Sequence, residues 1–253
     1  MYYKRKTQPA DPLEEKILKI FNRHNGNYGA PRIKEVLAKE NQTASKRRIG
    51  NILKKHCLES KHGRRRLAKN IHRASEQFIA ENLIKGDIPE KSNQICQMDA
   101  SQFKHIGGKL FVSGIIDVFD KTVVVKYGKK ENKELVFETI SEKLKVGKPE
   151  KIHSDRGLAN CSSIVKKLLE ENEIKLSMSA PYRPNENQYI ETFWKTAKTE
   201  IGDTSRLTQP QLEMVLDYYI NYYNTERIHS SIGYLTPKQM RDFSRQRSRE
   251  ALG

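Results

Sequence analysis

The sequence predicts an α/β protein in which a mixed five-stranded sheet flanked by helices follows a small all-α domain. Residues 11–57 carry apolar side chains at helical spacing. From residue 93 to residue 127, three β-type segments follow one another and are separated by short turns. Between residues 132 and 178, amphipathic helical segments alternate with short strands. This order of elements is typical of a sheet with helices packed against it.

The first 57 residues are predicted to form a helix-turn-helix domain of three short helices. Thr43 or Ser45 can cap the third helix, whose apolar residues would pack inward. Cations suit phosphates and an asparagine suits a base edge, so the opposite face is typical of a DNA recognition helix. A solvated basic face on a structural bundle is the alternative. This face carries Lys46, Arg47, Arg48, Asn51, Lys54 and Lys55.

Residues 58–89 are predicted to be a basic linker followed by a connecting helix over residues 74–85. The stretch from Lys61 to Arg73 contains no acidic residue and includes Arg64, Arg65 and Arg66. A run of like charges is usually a mobile linker. We expect this one to become ordered along a DNA backbone.

Residues 90–237 are predicted to form the α/β core, and residues 238–253 a basic tail that frays. The predicted strands are 93–100, 108–118, 122–127, 151–154 and 174–178. The predicted helices are 132–145, 160–172, a helix that begins near Glu186, and 209–224.

Three carboxylates in this core are candidates for a metal site. Asp155 follows a strand, at the end where α/β sheets place ligands. Asp99 lies on the first strand, and Glu191 lies on the helix after residue 186. Mg²⁺ takes oxygen ligands, and two such ions can activate an attacking oxygen and stabilise a leaving one. The sequence therefore predicts a paired Mg²⁺ (or Mn²⁺) site.

Two lysines share a helix face with Glu191. Lys195 and Lys198 follow it at i+4 and i+7. A solvated surface ion pair is one interpretation of this spacing. The other is that both lysines bind phosphate beside a metal-binding carboxylate.

Four segments resemble the insertion-sequence transposases of the OrfB type, which have a DDE, retroviral-integrase-like core. They cover nearly the whole chain in the family's order, although Cys96 stands where the family usually has a tryptophan. The matching segments are Tyr28-Gly-Ala-Pro-Arg-Ile33, His153-Ser-Asp-Arg-Gly157, Glu186-Asn-Gln-Tyr-Ile-Glu-Thr-Phe-Trp-Lys-Thr-Ala-Lys-Thr-Glu200 and Tyr223-Asn-Thr-Glu-Arg-Ile-His-Ser-Ser-Ile-Gly-Tyr-Leu-Thr-Pro237.

The resemblance implies an RNase H-like core whose first and fourth strands are neighbours, which would bring Asp99 and Asp155 together. It makes Asp99, Asp155 and Glu191 the catalytic triad for metal-dependent DNA cleavage and strand transfer. His153 is either a strand-end histidine satisfied by the backbone or, like Asn187, a residue that orients a ligand.

The family position of Arg227 implies DNA contact or packing, as does that of His229. The sequence alone leaves these two roles open for both residues.

Charge and composition favour double-stranded DNA as the partner. Lys and Arg number 47 against 31 acids, giving a net charge of +16. No apolar run approaches membrane-spanning length, and three widely spaced cysteines indicate reduced thiols. We therefore expect a cytoplasmic, nucleoid-associated protein.

We expect a homo-oligomer on element ends and target DNA, working alone or with the upstream-frame product. A non-catalytic helix-turn-helix regulator is the alternative function. A sequence-independent RNase H-type nuclease would fit the core but not the N-terminal domain.

Overall fold

The computed structural model describes residues 12–61, 82–84, 87–155, 162–179 and 184–250. The chain divides into two compact units, residues 1–70 and 71–253. The predicted linker and connecting helix lie mostly outside the described residues, as do Arg64, Arg65 and Arg66. The segment boundaries inferred from the sequence therefore stay predictions.

The first unit contains the three predicted helices, α1 (Pro12–Arg23), α2 (Ala30–Lys39) and α3 (Lys46–Lys55). Ser45, rather than Thr43, caps α3, because its hydroxyl accepts a hydrogen bond from the Arg48 N–H at 3.1 Å. The apolar faces of the helices meet in a small core, whose buried isoleucine and leucine side chains include Ile17, Ile33, Leu37, Ile49 and Leu53.

The second unit is built on the predicted five-stranded mixed sheet, with the strand order β3-β2-β1-β4-β5. β1 pairs with β2 antiparallel and with β4 parallel, so the first and fourth strands are neighbours, as expected of an RNase H-like sheet. The strands are β1 (Ile95–His105), β2 (Gly108–Asp117), β3 (Val123–Gly128), β4 (Lys151–Ser154) and β5 (Lys175–Met178).

Helices cover both faces of the sheet. One face packs on α4 and α5 through a core that includes Met98 and Ile152, and the other packs on α6 and α7 through Phe103 and Trp194. No helix within the described ranges has the length and apolar character needed to cross a bilayer. The helices are α4 (Lys133–Val146), α5 (Ser163–Glu171), α6 (Gln188–Ile201), α7 (Gln209–Thr225) and α8 (Pro237–Glu250).

The prediction that the C-terminal tail frays is wrong, because residues 237–250 form α8. Arg241 on this helix is 5 % exposed, and its Nε donates to Asp120 Oδ2 at 2.8 Å. A second nitrogen of the guanidinium lies 3.4 Å from Asp117 Oδ2. Although burial of Asp120 opposes it, the Arg241 charge lowers the pKa of the Asp120 carboxyl. These buried ion pairs fasten the last helix to the turn between β2 and β3.

Candidate active site

Asp99 and Asp155 extend from two neighbouring parallel strands. Met98 pairs with Ser154 in the register of β1 and β4. Asp99 follows Met98 on β1, and Asp155 is the residue immediately after β4. Asp99 is half-buried and Asp155 is exposed. The structure therefore brings together, at the end of β4, the two aspartates that the sequence singled out.

Glu191 reaches the same place from the first turns of α6. Side chains of both elements make hydrogen bonds that join β1 to the start of this helix and to the residues just before it. Gln97 on β1 contacts the backbone of Glu186 and Tyr189, and the Asn187 side-chain amide donates to the Met98 carbonyl at 3.1 Å. The strand that carries Asp99 thus also holds the helix that carries Glu191.

The electrostatics of the site place the three carboxylates within interaction range of one another. Burial, followed by the negative charge of Asp155, raises the pKa of the Asp99 carboxyl to about 7, and Glu191 adds to this shift. Partial burial and Asp155 likewise raise the pKa of Glu191. Such a group of acids concentrates negative charge that a cation would neutralise.

A fourth acid, Glu131, lies near this group, and the sequence reasoning missed it. Its pKa is raised by partial burial and by the charge of Asp155, and it contributes to the shift at Asp99. Glu131 stands two residues before the start of α4, in a stretch with no recognised motif. Its position near Asp155 follows from the tertiary fold, so no local pattern could indicate it.

Carboxylate oxygens are the ligands that hard divalent cations prefer, so the donor chemistry fits Mg²⁺ or Mn²⁺. The raised pKa of Asp99 fits as well, because burial causes most of it and repulsion from Asp155 and Glu191 adds to it, and a bound cation would offset both effects. Among the described residues, however, no three His, Cys, Asp or Glu side chains lie close enough to enclose a metal ion. The acids thus match such a site in chemistry and in location, without forming a closed cage.

Lys195 and Lys198 are both exposed on α6, and Lys198 lies near Asp99. The Lys198 ammonium lies 5.7 Å from the centre of the Phe103 ring. Partial burial lowers the pKa of Lys198, and the nearby charge of Asp99 opposes that shift. The helical spacing related the two lysines to Glu191, and the tertiary fold adds the proximity of Lys198 to Asp99.

His153 is fully buried, and two serine hydroxyls contact its ring nitrogens. Nδ1 lies 2.9 Å from Ser177 Oγ, and Nε2 lies 2.9 Å from Ser179 Oγ. Burial lowers the pKa of this imidazole. His153 thus links β4 to β5 through side-chain contacts, which differs from the first interpretation, a histidine satisfied by the backbone. The second interpretation, a residue that orients a ligand, stays a prediction.

Arg227 packs inside the second unit, which favours the packing role over DNA contact. Its side chain is 3 % exposed, and one guanidinium nitrogen lies 2.8 Å from Glu200 Oε1. Tyr219 donates to the same carboxylate at 3.0 Å, and His229 contacts the guanidinium at 3.2 Å. The sequence left both roles open for Arg227, because it does not show that Glu200, on α6, contacts the guanidinium.

In the first unit, the polar face of α3 is exposed as expected. Lys46, Arg47, Arg48 and Asn51 are all accessible. A shallow depression of about 350 Å³ runs along this face, and Arg47, Arg48, Asn51 and Lys55 line it together with Ser45 and Ile52. This surface is basic, and it offers one amide group that could read a base edge.

Three family models match the chain. Two are described as "Integrase core domain" and match residues 89–184 and 172–237. The third is described as "HTH-like domain" and matches residues 8–66. The integrase-core matches include Asp99, Asp155 and Glu191, and the HTH-like match includes all of α3.

Curated relatives match over most of their length. The transposase for insertion sequence element IS904 of Lactococcus lactis subsp. lactis is 29 % identical over 92 % of this chain and 94 % of its own length. An uncharacterized transposase-like protein of Haemophilus influenzae is 32 % identical over 64 % of this chain and 78 % of its own length.

A solved structure shares the fold. This is a chain in the cryo-EM structure of the simian T-cell lymphotropic virus intasome in complex with PP2A regulatory subunit B56 gamma. It aligns with a TM-score of 0.55 and 18 % identity, over 89 % of this chain and 74 % of that chain.

Proposed function

This chain belongs to the insertion-sequence transposases with an integrase core domain, and we propose that Asp99, Asp155 and Glu191 are the carboxylates with which it cleaves and joins DNA. It is a DNA transposase, an enzyme that acts on DNA during transposition of an insertion sequence. The observation that carries the proposal is the convergence of these three acids from β1, β4 and α6. No observation favours the alternative of a non-catalytic regulator.

The three carboxylates would hold two divalent cations, Mg²⁺ or Mn²⁺. When bound, such ions activate an attacking oxygen and stabilise the leaving oxygen of a phosphodiester. The role of the protein is to keep the carboxylates ionised and oriented. Because its pKa is raised, Asp99 keeps a proton up to a higher pH than an ordinary aspartate does. It must lose this proton to bind a cation, and the positive charge of the cation favours that loss.

Lys195 and Lys198 would hold the DNA backbone next to the reacting phosphate. Their spacing places them one and two turns beyond Glu191, and Lys198 lies close to Asp99. An ammonium group there offsets the repulsion between the acids and a phosphodiester. Neither lysine would take part in proton transfer.

The polar face of α3 would bind the ends of the element, through Lys46, Arg47 and Arg48 on phosphates and Asn51 on a base. The basic residues Arg64, Arg65 and Arg66 would extend this contact. The net charge of +16 supports binding to double-stranded DNA and action at the nucleoid.

We expect a homo-oligomer, because two element ends and a target must be held together. Cooperation or fusion with the upstream-frame product is compatible with this scheme.

The test replaces each acid by its amide and measures strand cleavage and joining on a duplex that carries an element end. Asp99→Asn, Asp155→Asn and Glu191→Gln should each lose several orders of magnitude in rate, because groups that act as a unit fail together. DNA binding should persist. Glu170→Gln on α5 is the matched control, since Glu170 is exposed on another helix. A variant that keeps more than about one per cent of the wild-type rate would remove its residue from the triad.

A further inference from the structure

We infer that Gln97 is a positioning residue, which fixes the catalytic helix α6 on β1 and so sets the place of Glu191 relative to Asp99. The inference rests on the proposed function, since it concerns the geometry of the same three acids. It adds a residue with no metal-binding or acid–base chemistry of its own.

Gln97 lies on β1, yet it makes the hydrogen bonds to α6 that an N-cap residue of the helix would usually make. Its side-chain oxygen accepts the N–H of Tyr189 at 2.9 Å and that of Ile190 at 3.4 Å. Its side-chain nitrogen donates to the Glu186 carbonyl at 2.8 Å. The residue is 2 % exposed, so water does not compete for these bonds. All the hydrogen-bonding capacity of the Gln97 oxygen is thus directed at the first turn of α6.

Helices usually receive this cap from the residue that precedes them. The first N–H groups of a helix have no partner within it, and the N-cap side chain normally accepts from the second or third residue. Within the described part of the chain, the N-cap Asn187 makes no such bond. Its amide donates instead to the Met98 carbonyl, at 3.1 Å. Gln97 therefore caps the second and third residues of α6, and Asn187 fastens the same turn to β1.

The placement of Gln97 connects this cap to the reaction. Side chains alternate between the two faces of a strand, so Gln97 and Asp99 lie on the same face of β1. Glu191 is the residue that follows the capped Ile190. The Gln97 side chain thus fixes the start of α6 relative to the part of β1 that carries Asp99. A displacement of about 1 Å at a reacting centre can cost on the order of 100-fold in rate.

The test compares Gln97 and Asn224, two residues whose carboxamide side chains each hydrogen-bond a helix to a strand in this unit. Gln97→Met removes both of its polar groups at nearly constant length. Asn224→Leu is the control, because Asn224 on α7 makes two 2.9 Å bonds to the backbone of Val123 on β3, away from α6. With saturating element-end DNA, Gln97→Met should lower the cleavage rate by about 10- to 100-fold with KM for DNA unchanged. Asn224→Leu should lower the melting temperature without this loss.

A conservative variant separates positioning from folding. Gln97→Glu keeps an oxygen that can accept from Tyr189 and Ile190. Burial beside other acids favours the protonated carboxyl, whose O–H can donate to the Glu186 carbonyl in place of the amide. Its rate should therefore recover to within about five-fold of wild type. If Gln97→Glu and Gln97→Met are equally slow, the capping role is refuted.

Trp194 provides a readout other than activity. It is the only tryptophan in the sequence, lies on α6 three residues after Glu191 and is 5 % exposed. In a Mg²⁺ titration, the emission of Gln97→Met should respond at a roughly ten-fold higher concentration than that of wild type or Asn224→Leu.

The two proposals fail in different ways. If Asp99→Asn still cleaves DNA, the proposed triad is wrong. If Asp99→Asn is inactive but Gln97→Met matches Asn224→Leu in both rate and titration, only the positioning role is overturned.

Discussion

Gly114 lies directly opposite Asp99 in the antiparallel pairing of β1 and β2. A Cβ atom at Gly114 would come within 2.8 Å of Cζ2 of the Trp194 indole, which packs over this position. The helix that carries Glu191 therefore approaches the sheet where only glycine leaves room, beside the first aspartate.

We predict that Gly114→Ala destabilises the second unit by about 1–3 kcal/mol, because the added methyl group overpacks the core against Trp194. Trp194 cannot shift alone, since its ring centre lies 4.8 Å from that of Phe193. DNA cleavage should fall as α6 moves. Urea unfolding and cleavage rates would measure both effects. The control is Ser113→Ala, whose hydroxyl has no hydrogen-bond partner among the described residues. Equal losses in the two variants would contradict the prediction.

The raised pKa of Asp99 predicts how stability depends on pH without metal. Its carboxyl has a pKa of about 7 in the folded chain and an ordinary value of 3.8. Folding therefore favours the protonated acid, and the free energy of unfolding should fall as pH rises from about 4 to 7. The contribution of this residue to the slope is at most about 1.4 kcal/mol per pH unit.

Chemical unfolding of the wild type and of Asp99→Asn, with EDTA present, would measure this slope. The wild type should lose stability relative to the variant over that range, with little further change above pH 8. Added Mg²⁺ should then stabilise the wild type at pH 8 and have little effect on the variant. Parallel pH curves for the two proteins would show that Asp99 titrates normally.

The buried ion pairs of Arg241 predict a large loss of stability on substitution. Arg241→Met leaves the carboxylates of Asp117 and Asp120 buried without their guanidinium partner, which should cost about 3–5 kcal/mol. Arg249→Met on the same helix is the control, because that side chain is exposed. Adding Asp120→Asn to Arg241→Met should restore part of the loss in urea unfolding. If Arg241→Met and Arg249→Met unfold alike, the ion pairs contribute little.

The two lysines of α6 should act on binding through charge. Changing Lys195 and Lys198 to alanine should weaken binding to all duplexes similarly and lower the slope of log affinity against log salt by up to about two. Changing both to glutamate should weaken binding much further. The control is Lys166/Lys167→Ala on α5. If the control loses as much, Lys195 and Lys198 are ordinary surface charges.

The face of α3 should contribute sequence preference. Asn51→Ala is expected to reduce the difference in affinity between an element-end duplex and a scrambled one, by about 1–3 kcal/mol. Arg47→Ala should weaken binding to both duplexes alike. Competition binding at fixed salt would measure this, with Lys34→Ala on the exposed side of α2 as control. An unchanged preference in Asn51→Ala would show that α3 binds only phosphates.

Local sequence patterns predicted those features of the helices and strands that depend only on nearby residues. The strand Lys151–Ser154 ends at the residue that its sequence indicated, and the basic face of α3 is exposed. The first strand was predicted to end at residue 100, but it continues to His105 because β2 pairs with it along its whole length. Alternation of polar and apolar residues could not show where this partner ends.

Contacts between distant residues explain the remaining errors. Arg241 looks like one more cation in a basic tail until Asp117 and Asp120 are seen beside it. Gln97 looks like an ordinary strand residue, since its partners on α6 and just before it are 89 to 93 positions away. The acids of the proposed triad could be named from family motifs, whereas the residues that support them depend on packing that no motif records.

The pairing of Arg241 with Asp120 also has a consequence for the time course of protein synthesis. These partners are 121 positions apart, so Arg241 is made well after Asp120. At translation rates of 5–20 residues per second, the ribosome takes roughly 6–24 s to go from one to the other. Throughout that interval Asp117 and Asp120 lack the guanidinium of Arg241. The turn between β2 and β3 therefore acquires its last ion pairs only after α8 has been made.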